Sequence, residues 1–171
     1  MYEPQFLTRL EEQELVEQFN QLAFKEFEFH GYQGKRRVVY FGYRYDFNDN
    51  RLRAAEAIPA FLLPLRDRAA SFAGLAPDAL RQALVAEYSP GAAIGWHKDR
   101  AAFDDVIGIS FVSPCRFRFR RKSGAGWARL SVLLAPRSAY LLRGAARNAW
   151  EHSIPPAENL RYSVTFRSMA V

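Results

Sequence analysis

A single cysteine, Cys115, stands in the 171 residues, so no disulfide closes within the chain and nothing hints at secretion. No apolar run reaches the length of a signal-peptide core or a membrane span, Met1 to Phe6 included. Neither segment is therefore expected, and the expected location is cytoplasmic, with no membrane partner. Internal repeats, low-complexity tracts and long linkers are also missing, which leaves one domain covering residues 1–171 as the simplest organisation. Histidine is scarce as well: only His30, His97 and His152 are present.

What is present suits a folded body. The chain is 49% hydrophobic and 15% aromatic, too apolar for intrinsic disorder. Its net charge of +6 is unevenly spread, with a balance of −5 over residues 1–30 and +11 over residues 31–171. A basic body favours a polyanionic partner such as nucleic acid, although ordinary solubilising charge accounts for the balance equally well.

Helices are expected early and strands later. Thr8 and Glu11 have the spacing of a capping box, and Leu15, Phe19 and Leu22 share one face of the helix that follows. A second helix is expected from Pro59 to Phe72, with Leu62, Leu65, Ala69 and Phe72 as its apolar stripe, and Pro77-Asp78 starts a short turn. Arg36 to Phe47 reads as extended. From Ala83 on, strands are expected at 83–88, 94–99, 106–113, 115–121, 128–134, 138–142, 149–153 and 161–167, separated by Pro- and Gly-containing turns. Eight short strands at this spacing predict a mostly β, α+β fold: a sandwich or double-sheet jelly roll with the N-terminal helices on one outer face. Residues 1–80 would supply helices and a substrate lid, and residues 81–171 the β core.

Chemistry is concentrated in the second half. His97-Lys98-Asp99 is followed by His152, then by Arg161 and Arg167. On a strand, His97 and Asp99 share a face while Lys98 points away. Two histidines and one carboxylate form the facial triad of non-heme Fe(II) oxygenases, which leaves other coordination positions open. A His-x-Asp/Glu arises by chance roughly 0.3 times in such a composition, so the ordered set carries the signal. Arg161, Ser163, Thr165 and Arg167 share one strand face, and Tyr162, Val164 and Phe166 the other, as for a strand lining a polar pocket with its back against helices. Cys115, Phe117 and Phe119 alternate with Arg116, Arg118 and Arg120. That basic stripe either tracks a phosphate backbone or blunts an exposed sheet edge, and Cys115 is then a buried small hydrophobe. No chemistry is assigned to His30.

Three stretches, Glu87 to Asp99, Trp150-Glu151-His152 and Arg161 to Arg167, resemble the AlkB family of Fe(II)/2-oxoglutarate-dependent dioxygenases. Arg36 to Tyr43 extends the similarity into the first half. The resemblance implies a double-stranded β-helix, Fe(II) held by His97, Asp99 and His152 with no further catalytic side chain, and 2-oxoglutarate and O2 as co-substrates. It implies that Arg161 grips the distal carboxylate of 2-oxoglutarate, with Arg167 nearer the metal and Tyr88 adding a hydroxyl contact. A common family asparagine two residues before that tyrosine is here Ala86. The implied reaction converts 2-oxoglutarate to succinate and CO2 while hydroxylating a C–H bond. An N-methyl group so hydroxylated leaves as formaldehyde.

On the substrate side, DNA-repair members tend to place an acidic residue two positions after the metal-binding aspartate, where this chain has Ala101. Arg36-Arg37-Val38, Phe103-Asp104-Asp105 and Arg147 are more like the tRNA-modifying branch. Lys35, Arg36 and Arg37 could meet phosphates and Tyr40, Tyr43 or Tyr45 could stack on a base, which points to single-stranded DNA or RNA as partner of a monomer. A protein side chain as substrate, or a catalytically silent nucleic-acid-binding module on the same fold, are the alternatives.

Overall fold

The computed structural model describes residues 1–29, 32–46 and 49–170; His30 and Phe47 lie outside them. Thirteen strands and three α-helices follow one another along the described chain. Helix α1 (Arg9–Phe19) starts at the expected capping box: Thr8 Oγ1 accepts from the Glu11 backbone at 3.2 Å, and Glu11 accepts from the Thr8 backbone at 2.7 Å. It ends one turn before Leu22. A 3-10 turn (Ala60–Leu62) leads into α2 (Leu63–Ala73), which stops at Gly74 in the left-handed conformation, φ +67°.

Strands β1 (Tyr2–Glu3), β2 (Lys25–Phe29), β3 (Tyr32–Phe41), β6 (Leu80–Tyr88), β8 (Phe103–Phe111), β11 (Ala139–Leu142) and β13 (Arg161–Met169) form a seven-stranded sheet in the order β1-β11-β8-β13-β6-β3-β2. The N-terminal strands thus extend the sheet built by the C-terminal half. A second sheet, β10-β9-β12-β7, contains β7 (Ile94–His97), β9 (Cys115–Ser123), β10 (Gly126–Leu134) and β12 (Glu151–Ile154). Strands β4 (Tyr43–Asp46) and β5 (Arg51–Ala54) pair only with each other as a hairpin. The expected extended stretch 36–47 is therefore broken, at Gly42, where φ is +75° and an added Cβ would collide with the Arg81 carbonyl.

Two cores result from strict alternation across the large sheet. One face (Val85, Ile107, Ile109, Phe111, Tyr162, Val164, Phe166) buries against α1 and α2, with Phe19 wedged edge-on to Phe111 at 5.1 Å. The other face (Val38, Leu84, Ala86, Tyr88, Val106, Leu142) meets Cys115, Phe117 and Phe119 of the second sheet. The jelly roll with helices on one outer side is as expected, and buried Cys115 serves as a small hydrophobe whose thiol burial pushes its pKa up. Alternation alone did not reveal β1, β2 or the four-residue helix α3 (Ala145–Asn148), which are too short or too polar to stand out. No helix among the described residues is long and apolar enough to cross a membrane.

Gly108 marks a tight cross-strand approach within the large sheet. It stands opposite Tyr140 in register, and a Cβ there would fall inside the Tyr140 ring. Gly108→Ala is expected to destabilise the protein by about 1–3 kcal/mol through overpacking, read as a lower urea midpoint at unchanged slope. An unchanged midpoint would show that Tyr140 swings aside freely.

Candidate active site between the two sheets

Strand β12 delivers His152 directly opposite His97 of β7, and the two imidazoles meet edge-to-face with centroids 4.3 Å apart. The expected strand over 94–99 ends sooner, at His97, so Asp99 sits in the turn that follows. Its placement comes from side chains and not from strand alternation. Arg167 on β13 donates from Nε to Asp99 Oδ1 at 2.9 Å, and Arg147 donates to the Arg100 and Phe103 carbonyls at 2.6 and 2.8 Å, pinning the turn. Asp99 Oδ2 faces His152 Nε2 at 3.6 Å. Among the described residues no three His, Cys, Asp or Glu side chains stand closed up as a ready-made metal cluster. His97, Asp99 and His152 converge through these pairwise contacts instead.

Their protonation states suit divalent-metal binding. Burial acts to raise the Asp99 pKa, but the Arg167 guanidinium overrides it, helped by the two histidines, and holds the carboxyl at about 2. Burial lowers His152 to about 3, with neighbouring His97 pushing the same way. His97 is lowered too, mainly by burial, and its Nδ1–H donates to the Gly95 carbonyl at 2.9 Å, which leaves the Nε2 lone pair free to bind a metal. Two neutral imidazoles and one carboxylate are a donor set suited to Fe(II), and Phe117 and Phe119 back His152 at ring distances of 5.2 and 6.3 Å.

Six residues before Arg167 on the same strand lies a cation with one unpartnered nitrogen. Arg161 is 2% exposed, its Nε donates to Ser110 Oγ at 3.2 Å, and its guanidinium lies 4.7 Å from the Tyr88 ring. Its Nη1 is buried with no partner. A buried guanidinium nitrogen in this condition is costly unless an anion completes it, and a carboxylate is its natural complement. The expected polar face of β13 is inward: Arg161, Ser163, Thr165 and Arg167 are opposite the helix-facing Tyr162, Val164 and Phe166. The Tyr88 hydroxyl is desolvated, yet Arg36 and Arg161 more than offset that burial and lower its pKa.

Of the residues expected on the substrate side, the structure turns Arg36 and Tyr40 inward. Both share the inner face of β3 with Val38, whereas Arg37 points to the helix side and pairs with Glu87 at 2.7 Å. Alternation requires that split, since Arg37 opposes Glu87 in register. Tyr43 lies in the β4–β5 hairpin beneath Arg81, 5.5 Å from its guanidinium. Tyr45 of the same hairpin stacks on Arg100, 5.0 Å away, and so meets the turn that carries Asp99.

Sequence reasoning passed over Gln82. It is 1% exposed, donates to the Tyr43 carbonyl at 3.0 Å and accepts from Arg167 Nη1 at 2.9 Å. A buried glutamine thus connects the hairpin to the arginine that holds Asp99. A lone Gln in an apolar strand carries no motif, and only the folded register exposes its role. Ser110 and Tyr140 were missed for the same reason.

Comparison with known proteins adds the family. The sequence matches the 2OG-Fe(II) oxygenase superfamily over residues 1–167. It is 33% identical to the Arabidopsis thaliana "alkylated DNA repair protein ALKBH8 homolog" over 89% of this chain and 49% of that protein. It is 28% identical to the Macaca fascicularis "tRNA (carboxymethyluridine(34)-5-O)-methyltransferase ALKBH8" over 70% of this chain and 18% of that one. The chain therefore spans about half or less of the length of these two relatives. Its fold superposes on the solved structure of OsALKBH1 with a TM-score of 0.72 at 14% identity, covering 98% of this chain and 95% of that one.

The buried neutral histidine has a pH consequence. The His152 folded pKa of about 3 lies below its unfolded value of about 6.5, so the unfolded chain binds the extra proton between them. Its contribution to stability is complete above pH 6.5 and declines as pH falls toward 3. In the metal-free protein, His152→Gln should flatten the loss of melting temperature between pH 6.5 and 5, where most carboxylates have not yet titrated. An unaltered slope would mean His152 is free to protonate in the folded state.

Proposed function

The chain belongs to the 2OG-Fe(II) oxygenase superfamily, within its AlkB family, and from that premise we propose that it is a single-domain dioxygenase acting on alkylated, unpaired nucleic acid. The observation that carries the reading is the in-register pair His97–His152 with Asp99 beside it, together with a fully buried Arg161 on the inner face of β13 whose Nη1 has no partner among the described residues. His97, Asp99 and His152 would hold Fe(II). Arg161 and Tyr88 would hold the distal carboxylate of 2-oxoglutarate.

Iron, 2-oxoglutarate and O2 together supply the oxidation of a C–H bond. The side chains of this chain do the rest by placement. Arg167 keeps Asp99 ionised, and burial keeps both imidazoles neutral with Nε2 available on His97. Arg161 fixes the far end of a dicarboxylate through a charge-assisted contact, with Ser110 setting the guanidinium plane. Phe117 and Phe119 keep the ground behind His152 dry. Arg36 and Tyr40 stand on the inner face of β3, where a phosphate and an unstacked base would be met.

Nucleic acid as the substrate class is supported by the basic body of the chain and by relatives named for alkylated-DNA repair and for tRNA methylation. An unpaired strand is favoured because Ala101 offers no polar group after the metal motif to help extract a stacked base. Succinate formation should therefore be fastest with methylated single-stranded RNA or DNA, slower with methylated duplex DNA, and absent with methyl-lysine peptides. Equal turnover of duplex DNA would restore a plain duplex-repair role, and a peptide preference would overturn the nucleic-acid reading.

Two substitutions test the residue roles. Asp99→Ala should abolish succinate formation and, because it leaves the enclosed Arg167 without its counter-charge, also lower the melting temperature; activity of the folded variant at saturating Fe(II) would overturn its assignment. Arg161→Ala should weaken 2-oxoglutarate binding by about 2–3 kcal/mol, read as a raised KM or directly as loss of binding by calorimetry. An unchanged affinity would mean another cation takes the carboxylate.

A further inference from the structure

The outer face of the four-stranded sheet carries charge that neither the fold nor the iron site uses. Arg116, Arg118, Arg120 and Lys122 alternate outward along β9, and Trp127, Arg129, Ser131 and Leu133 stand beside them on β10. Blunting of a sheet edge does not account for the β9 stripe, because β9 is interior, paired with β10 on one side and β12 on the other. Some of these cations are structural: Arg118 donates to Ser153 at 3.0 Å and Arg120 to Glu151 at 2.6 Å. Arg116 and Arg129 are exposed and have no partner among the described residues. Arg129 stands directly opposite Arg120, a like-charge cross-strand pair in which Glu151 balances Arg120 alone and leaves Arg129 to an anion from outside.

Aromatic surface is interleaved with this charge. Arg120 is 4.5 Å from the Trp96 ring and 4.4 Å from the Trp127 ring, Arg118 is 5.2 Å from Trp96, and Lys122 is 5.0 Å from Trp127. Two of the three tryptophans in the chain thus lie among arginines on one sheet face, and Trp127 is 36% exposed. Glu151 is the only acidic residue that the pairing of β9, β10 and β12 brings to this face. Exposed cations combined with an exposed indole match the chemistry of a single-stranded polynucleotide, whose phosphates need charge and whose unpaired bases need π-faces.

We propose that this face is a second contact surface, which holds a single-stranded polynucleotide by phosphate contacts from Arg116, Arg129 and Lys122 and by base stacking on Trp127. It deepens the proposed function and rests on its nucleic-acid reading. Trp96 immediately precedes His97 and Glu151 immediately precedes His152, so the strands that present the strand-binding face outward present the iron ligands inward. A polynucleotide laid on the face and carried around β7, the edge strand of this sheet, would arrive at the mouth between the sheets.

The test measures binding of a fluorescein-labelled, non-self-complementary 12-nucleotide RNA by anisotropy across a salt series, in the metal-free full chain. The double variant Arg116→Ala/Arg129→Ala removes two exposed, partner-free cations, and an unchanged thermal melt verifies its fold. Binding should weaken roughly tenfold at low salt, and the slope of log K against log salt should shallow by about 1.4, the value for two lost phosphate contacts on a single strand. Trp127→Ala should weaken RNA binding about fivefold or more and leave binding of inorganic polyphosphate, which has no bases, unchanged. An unaltered slope in the double variant, equal losses for RNA and polyphosphate with Trp127→Ala, or equal affinity for duplex RNA would each overturn the proposal. Succinate release with a methylated trinucleotide, too short to span the face, reads the iron site separately and should be the same in the double variant and wild type. Absence of that turnover in the wild type, with the binding pattern intact, would sink the proposed substrate and leave the surface standing.

Discussion

The Asp99–Arg167 ion pair is the constraint around which the interior is arranged. A carboxylate taken out of water would ordinarily protonate, and a neutral acid is a poor metal ligand. Arg167 prevents that, but only because it is itself enclosed and held, with Gln82 accepting from its remaining nitrogen and Phe103 below its guanidinium at 5.4 Å. The arginine reaches Asp99 from the central strand of the large sheet, while the histidines come from the small sheet. The pair therefore joins the two layers with an interaction strong in a dry interior and weak in water. Breaking it leaves one buried charge facing none, a larger penalty than the pair itself is worth.

Much of this was legible in the sequence. The period-2 alternation of β9 and β13 correctly divided inward from outward residues, and the Thr8–Glu11 capping box placed the start of α1. Such features are local, so local pattern reports them. The site residues were legible as types in an order. Their geometry was not, because Asp99 lies beyond the end of β7 and is positioned by Arg167 and Arg147, 68 and 48 residues away in the chain. Arg37 shows the reverse failure. Arg36 and Arg37 look equivalent as text, yet adjacent strand residues face opposite ways, and Glu87 across the ladder determines which one the helix side receives.

The hairpin β4–β5 touches the site at two independent points. Tyr45 stacks on Arg100 in the turn after Asp99, and the Tyr43 carbonyl is hydrogen-bonded by Gln82, which also holds Arg167. One contact runs to the side chain of the residue after the carboxylate and the other to the glutamine that holds the cation ionising it. The hairpin's pose and the electrostatics of the carboxylate are thus set by the same few side chains. Networks of this sort are satisfied as a whole or not at all, which is why a single buried glutamine matters more than its chemistry suggests.

The register of β7 against β12 has a consequence for how this architecture tolerates change in length. His97 and His152 meet because they are direct cross-strand partners, on strands of only four residues each. Deleting or inserting one residue within β12 would turn Ser153 or Glu151 inward and send the imidazole to the outer surface, an inversion that no nearby substitution repairs. Drift in chain length is consequently channelled into the turns, such as 155–160 between β12 and β13 and 124–125 at the tip of the β9–β10 hairpin. Variants of this scaffold, natural or made, can be lengthened at those places while the spacing inside the two short strands stays frozen.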